Sequence, residues 1–386
     1  MEAREFQPRP YALELADETG FTFHTIDGEP YWHEGRAYCF SMAQVEQDLE
    51  APTNELVDMC YELVDEALKR DEWLDKLAIP AYCRDWIRHS WDRDEPTLYG
   101  RFDLSYNGAG PAKMLEFNAD TPTSLYESAV FQWIWLEDLL SQGLLPIDSD
   151  QFNSIEEKLL AGIPEMGLDS LVHFAGITES DEDSGTIRYL EGLFQQVGFP
   201  TRFMDMTEIG IDSAGRLTDL QDEVIEAIFK LYPWEMMVRE EFGKALPYAG
   251  VRWIEPPWKM LLSNKGILPL LWEMYPDHPN LLPAYFADDP QAGLKLGSRY
   301  VKKPLFSREG ANITLYQEGD LIELGGEYGA EGYILQAYHP LPVFDGWSAV
   351  LGSWVIRGEA AGIGIREDLG PITTNASRFV PHYIWG

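Results

Sequence analysis

Residues 100–121 read GRFDLSYNGAGPAKMLEFNADT, and the fold turns on what this stretch does. Two arms that alternate polar and apolar residues flank NGAGP, a run of turn-forming residues. A period of two puts every second side chain on one face of a strand. Counting outward from the turn, Asp103 mirrors Glu116 and Arg101 mirrors Asn118, since both pairs of residue numbers sum to 219. Directly opposed residues of an antiparallel pair have Cβ atoms about 4.5–5.5 Å apart. One face is therefore expected to carry Arg101, Asp103, Glu116 and Asn118, with Phe102, Leu104, Leu115 and Phe117 turned into a core. Two carboxylates held this close require a cation or a proton. Arg101 supplies it in a salt-bridge ladder of small energetic value, or a metal ion does. Asn118 favours the metal, because Asp, Glu and an amide carbonyl are hard oxygen donors suited to Mg2+, which shares its remaining positions with water and phosphate. An arginine beside such a site suits transferring phosphate oxygens.

The bulk numbers bound the rest. A chain of 386 residues, 45% apolar, can bury a large core in two or three lobes. With no run of about 18 apolar residues, no transmembrane helix is expected, and the charged start MEAREFQPRP is not a signal peptide. Cys39, Cys60 and Cys83 form no CxxC, which reads as free thiols in a reducing cytoplasm. The net charge of −36 excludes general nucleic-acid binding, which needs a positive footprint. It favours solubility and would draw a cationic ligand such as a polyamine.

Along the chain, apolar spacing predicts a helix over 43–76 and another over 124–143 that ends at Gly143. SLVHFAGI (170–177) reads as a buried strand, and residues 182–206 as helix, turn and strand, so a small α/β layer is expected mid-chain. From about residue 295 the text is strand-rich, and the overall class is α+β with several lobes. ESDEDSG (179–185) lacks calcium-loop spacing and reads as a solvated acidic loop. His24 and His33 have no third ligand at a recognisable spacing and read as hydrogen-bonded histidines.

Three further stretches carry charge suited to anions. In YVKKPLFSREGANITL (300–315) a strand ending in Lys303 runs into a glycine-bearing loop with Arg308, whose backbone N–H groups can cradle phosphate. Lys265, in LLSNKGILPLLWEM, precedes a helix whose positive end disfavours it unless an anion compensates. In GIGIREDLGPITT, Arg366 follows a glycine-spaced strand where backbone can approach a ligand closely.

Taken in order, RFD…LEFNADTPTSLYE, WKMLLSNKGILPLLW, YVKKPLFSREGAN and GIGIRED resemble the synthetase domain of glutathionylspermidine synthetase, an ATP-grasp ligase. The likeness extends to its stand-alone bacterial relatives, described as acid–amine ligases, and covers about residues 10–386. The resemblance implies an α+β, ATP-grasp-like fold with approximate lobes at 1–165, 166–255 and 256–386, the last binding the nucleotide. By the same resemblance Asp103, Glu116 and Asn118 hold two Mg2+ ions, with Glu116 bridging. Arg101 stabilises the transferring phosphoryl group, with Phe102 and Asp103 beside it in the nucleotide set. Lys265 and Lys303 bind ATP, and the loop of Ser307, Arg308 and Gly310 closes over its phosphates. Gln336 reads the adenine edge, and Arg366 is a second phosphate-binding arginine. Thr121, Thr123, Ser124, Trp234 and Glu235 face the substrate, although helix capping and core packing explain them equally well. The implied reaction joins a carboxylate to an amine, a polyamine among the candidates, through an acyl phosphate. The relatives' N-terminal amidase domain has no counterpart expected in a chain of this length. Two readings stay open beside the ligase: an ATPase or phosphotransferase, and an ATP-binding regulatory protein.

Overall fold

Tyr99–Ser105 and Lys113–Asn118 pair antiparallel in the computed structural model, which describes residues 1–26, 28–374 and 377–386. Arg101 faces Asn118, Phe102 faces Phe117 and Asp103 faces Glu116, as the mirrored numbering requires. The Phe102 and Phe117 rings stack with centroids 4.0 Å apart, worth about 0.5–1.5 kcal/mol beyond the area they bury. Beyond Asp103 the register slips, and Leu104 pairs with Met114 rather than Leu115. The extra residue is a bulge. It leaves Leu115 half-buried on the wall of a cleft beside Glu116, and Met114 takes the core place that strict alternation assigned to Leu115.

This hairpin is the edge of a larger antiparallel sheet. Its strand order is Arg378–Val380, Glu359–Asp368, Trp347–Ile356, Tyr99–Ser105, Lys113–Asn118, with Val343–Phe344 also paired to Trp347–Ile356. The two ten-residue strands are buried along almost their whole length, which matches their continuous apolar text. They are joined by Arg357 and Gly358, both at positive φ (54° and 86°), the two-residue turn that suits strand twist.

The predicted α/β layer is present as a four-stranded parallel sheet ordered Arg252–Ile254, Ala227–Leu231, Val172–Gly176, Thr201–Asp205. The helix Asp181–Gln196 crosses between its last two strands. A third, antiparallel sheet runs Ala284–Phe286, Tyr333–Ala337, Arg299–Pro304, Thr314–Gln317, Asp320–Glu323. The helix read over 43–76 is three pieces, Gln44–Glu50, Ala51–Ala67 and Asp71–Lys76, broken where Arg70 turns extended. The second predicted helix does end at Gly143, in left-handed geometry (φ 68°), with Leu144 N–H bonded back to the Leu139 carbonyl. All three cysteines are free and buried. No helix among the described residues is long and apolar enough to cross a membrane.

Candidate active site

The hairpin's polar face and the third sheet enclose a cleft. Val301, Ile313, Leu315, Leu341 and Val350 supply apolar wall, while Asp103, Glu116, Lys265 and Lys303 cluster at one end. Lys265 also borders a small adjoining cavity, shared with Asn118, Thr121, Ser307 and Arg308.

Each carboxylate at this end is met by cations. Asp103 accepts from Arg101 Nε at 2.7 Å and from the Arg366 guanidinium at 2.7 Å. Glu116 pairs with Lys265 at 2.9 Å and accepts from Asn118 Nδ2 at 3.4 Å. Burial alone would raise the Glu116 carboxyl, but the charges of Lys265 and Lys303 outweigh it and hold Glu116 below the usual carboxylate range. Arg101 lies flat across the neighbouring strand because residue 352 is glycine: a Cβ there would sit 2.6 Å from Arg101 Cδ. Nothing in the alternation pattern signalled Gly352; it follows only from the strand pairing that sets it opposite Asp103.

Lys303 points into the same region, donating to the Leu115 carbonyl at 2.9 Å and to Gln336 Oε1 at 2.7 Å. Burial pushes its ammonium down to about 8 against the attraction of Glu116. An anionic ligand favours the charged form, so affinity for such a ligand is expected to fall as pH rises through about 8. Titrating binding between pH 7 and 9.5 checks this, and Lys303→Arg, whose guanidinium stays charged, should flatten the profile.

Asp103, Glu116 and Asn118 supply hard oxygens on one face of two adjacent strands, a donor set that fits Mg2+ completed by phosphate and water. Among the described residues no three His, Cys, Asp or Glu side chains gather into a closed metal cage. His24 bonds Thr25 and Asp17 instead.

Several expected site residues sit elsewhere or do other work. Phe102 is fully buried on the opposite face, so only its backbone borders the polar face. Gln336 does not present its amide to the cleft, because it accepts from Lys303 and donates to the Met114 carbonyl at 3.2 Å. Tyr338 and His339, just beyond it, line the cleft wall. Trp234 is fully buried among Trp86 and Trp253, which makes it core. The glycines before Arg366 serve packing: Cβ atoms at Gly362 and Gly364 would meet Ile155 and Ser128. The Ser124 side chain bonds Tyr31 at 3.0 Å and caps no helix. Arg308 reaches across to two of the substrate candidates, Glu235 (3.0 Å) and the Thr121 hydroxyl (2.5 Å). Ser307 is buried, its carbonyl accepting from Lys265 at 2.5 Å. Gly310 keeps a positive φ (75°) and so close an approach to the Thr373 carbonyl that a Cβ would lie 2.7 Å from it.

ESDEDSG is not a solvated loop. Ser180 caps the helix Asp181–Gln196, its Oγ accepting from Asp183 N–H at 3.2 Å, and the first turn points Glu182 and Asp183 toward the site. Thr123, whose carbonyl accepts from Arg101 at 2.5 Å, lies beside Glu182. Glu127 joins them from the helix after the hairpin. It is fully buried, accepts from Tyr31 at 2.6 Å, and leaves its Oε2 without a partner. Burial, with Glu182 adding repulsion, raises Glu127 to about 8. Burial, then Glu182 and Glu309, raises Asp183 to about 7. These three carboxyls form an acidic cluster whose mutual repulsion Arg101, Arg366 and Arg308 only partly offset.

The family described as glutathionylspermidine synthase preATP-grasp matches residues 3–385. The chain is 39% identical to a Haemophilus influenzae protein named "Putative acid--amine ligase", over 98% of each chain. It is 30% identical to trypanothione synthetase of Crithidia fasciculata, over 84% of this chain and 53% of that one. It is 28% identical to the bifunctional glutathionylspermidine synthetase/amidase of Escherichia coli, over 92% of this chain and 60% of that one. The chain thus spans a little over half the length of the last two. A solved glutathione synthetase-like effector from Globodera pallida shares the fold, with a TM-score of 0.58 at 13% identity over 98% of both chains.

Proposed function

The chain belongs to the glutathionylspermidine synthase preATP-grasp family, and we propose that it is an ATP- and Mg2+-dependent ligase that joins a carboxylate to an amine through an acyl phosphate. One observation carries the reading. Paired carboxylates, two arginines and two lysines converge at one end of an apolar-walled cleft.

In this reading the adenine rests against Val301, Leu315 and Val350, and the phosphates meet Lys265 and Lys303. Mg2+ held by Asp103, Glu116 and Asn118 would neutralise charge on the phosphate oxygens. The substrate carboxylate attacks the γ-phosphorus, the bond to the bridging oxygen breaks, and ADP leaves. Arg101 and Arg366 provide fixed positive charge where negative charge builds. The amine nitrogen then attacks the acyl carbon, phosphate departs and an amide remains. An amine arrives as an ammonium ion and must lose a proton before it can attack. Asp183, partly exposed and raised to about 7, is matched to accept that proton near neutral pH. The Ser307–Gly310 loop keeps water from the acyl phosphate.

ADP release is expected to require Mg2+, a carboxylate and an amine together. A mass-spectrometric screen of acid and amine pairs, reading ATP-dependent loss of one water, identifies the substrates. ADP formed at an equal rate without any acceptor would replace the ligase with an ATPase. Asp183→Asn is expected to raise the amine KM about tenfold or more while the ATP KM stays within about twofold, as for loss of a charge-assisted contact of about 1.5–3 kcal/mol. Equal changes in both constants would remove the amine from Asp183.

A further inference from the structure

Lys259 is 2% exposed and Glu255 is 0% exposed, and neither belongs to the cleft. Burying an ammonium is costly, and a well-packed apolar pair of the same volume is often as stable. What the ammonium touches is therefore informative. Lys259 Nζ donates to the Tyr99 carbonyl at 3.1 Å and to the Ala119 carbonyl at 2.9 Å. These are the first residue of the hairpin's first strand and the residue just after its second. Glu255 holds the same end from the other side, accepting from Leu98 N–H at 3.0 Å, Tyr99 N–H at 2.9 Å and the Thr97 hydroxyl, with Lys259 at 3.4 Å. One buried ion pair thus ties together both arms at the open end, where a two-stranded ribbon otherwise splays. The next pair inward in the register is Arg101 with Asn118, and the next on that same face is Asp103 with Glu116.

We propose that Lys259, oriented by Glu255, is a positioning residue that sets the separation of the hairpin arms and hence of Asp103, Glu116 and Asn118. The inference rests on reading that face as the Mg2+–nucleotide platform. It differs from a plain stabilising role in what happens when the buried charge is removed in balance.

The test uses the full chain with Lys259→Met, Lys259→Gln and the double variant Glu255→Gln/Lys259→Met. Readouts are the unfolding midpoint, hydrogen exchange of the nucleotide-free protein and calorimetric binding of Mg2+-ADP. Lys259→Met is expected to weaken Mg2+-ADP about 10–100-fold, the range for loss of a group that orients metal ligands, and to speed exchange in the 99–119 amides. The double variant should recover the unfolding midpoint without recovering affinity, since the two carbonyls remain untied. Lys259→Gln, whose amide still donates, should restore much of it. Recovery of stability and affinity together in the double variant, or equal behaviour of the Gln and Met variants, overturns the proposal in favour of charge balance alone. So does failure of every variant to fold. If the unaltered protein does not bind Mg2+-ADP, the platform reading itself falls, a result distinct from unchanged binding in the variants.

Discussion

Asp103→Ala lowers ADP release about 10³-fold at every Mg2+ concentration; this is the expected result of removing one group that both coordinates and neutralises. The Asp103 carboxylate sits between Arg101 and Arg366, each 2.7 Å away. Its loss removes an oxygen from the metal set and leaves two guanidinium groups without their counter-charge. The two consequences have opposite signs for binding. Mg2+-dependent affinity falls, while metal-free nucleotide should bind as tightly as before or tighter, because the uncompensated arginines attract it. Measuring ADP affinity with and without Mg2+ separates them. Asp103→Asn, which keeps one oxygen and the shape, should lie between the alanine variant and the unaltered protein. Turnover within about threefold of normal for Asp103→Ala would return the hairpin to a salt-bridge ladder, for which so small an effect is ordinary.

The largest effect on stability is expected from Lys230→Met. Lys230 and Asp120 are an ion pair with both side chains 0% exposed, 2.7 Å apart, and Asp120 also accepts from the Trp234 N–H at 2.9 Å. Removing the ammonium strands a carboxylate in a dry interior, and breaking such a pair from one side costs about 3–5 kcal/mol. Asp120→Asn in the same chain removes the stranded charge, so the double variant should recover much of the loss. Urea unfolding followed by tryptophan fluorescence measures both, Trp234 lying 4.2 Å from Lys230 Nζ. A loss under about 1 kcal/mol for Lys230→Met would mean that Asp120 had picked up a proton or water, the relaxations that make buried charges tolerable.

How far the sequence could be read depended on whether the deciding interaction was local. The pairing of Arg101 with Asn118 and of Asp103 with Glu116 follows from counting around one turn. The bulge that exposes Leu115 does not, since period-two alternation has no symbol for an extra residue. Lys265 stood out because it precedes a helix whose positive end disfavours it, and Lys303 because its strand runs into a glycine-bearing loop. Glu127, Glu182 and Asp183 were hidden by the abundance of acid in a chain of net charge −36, and only packing distinguishes a buried carboxyl from a solvated one. ESDEDSG looked like surface because nothing within seven residues records that Thr123 and Glu309 come to lie against it. Trp234 and Gln336 failed in the opposite sense: both stand beside residues of the right kind, but the side chains are spent on the core and on Lys303.

The sheet that carries the hairpin is completed by strands roughly 250 residues later in the chain: Gly352 opposes Asp103, and Arg366 donates to it. Contacts this distant in sequence close a large loop before they return any energy, which slows folding. On a ribosome the two arms would emerge early and wait, with one edge of Tyr99–Ser105 unpaired, until Trp347–Ile356 was released. The hairpin's carboxylates would spend that interval without Arg366. A site that needs both arms and Arg366 is therefore completed only late in synthesis.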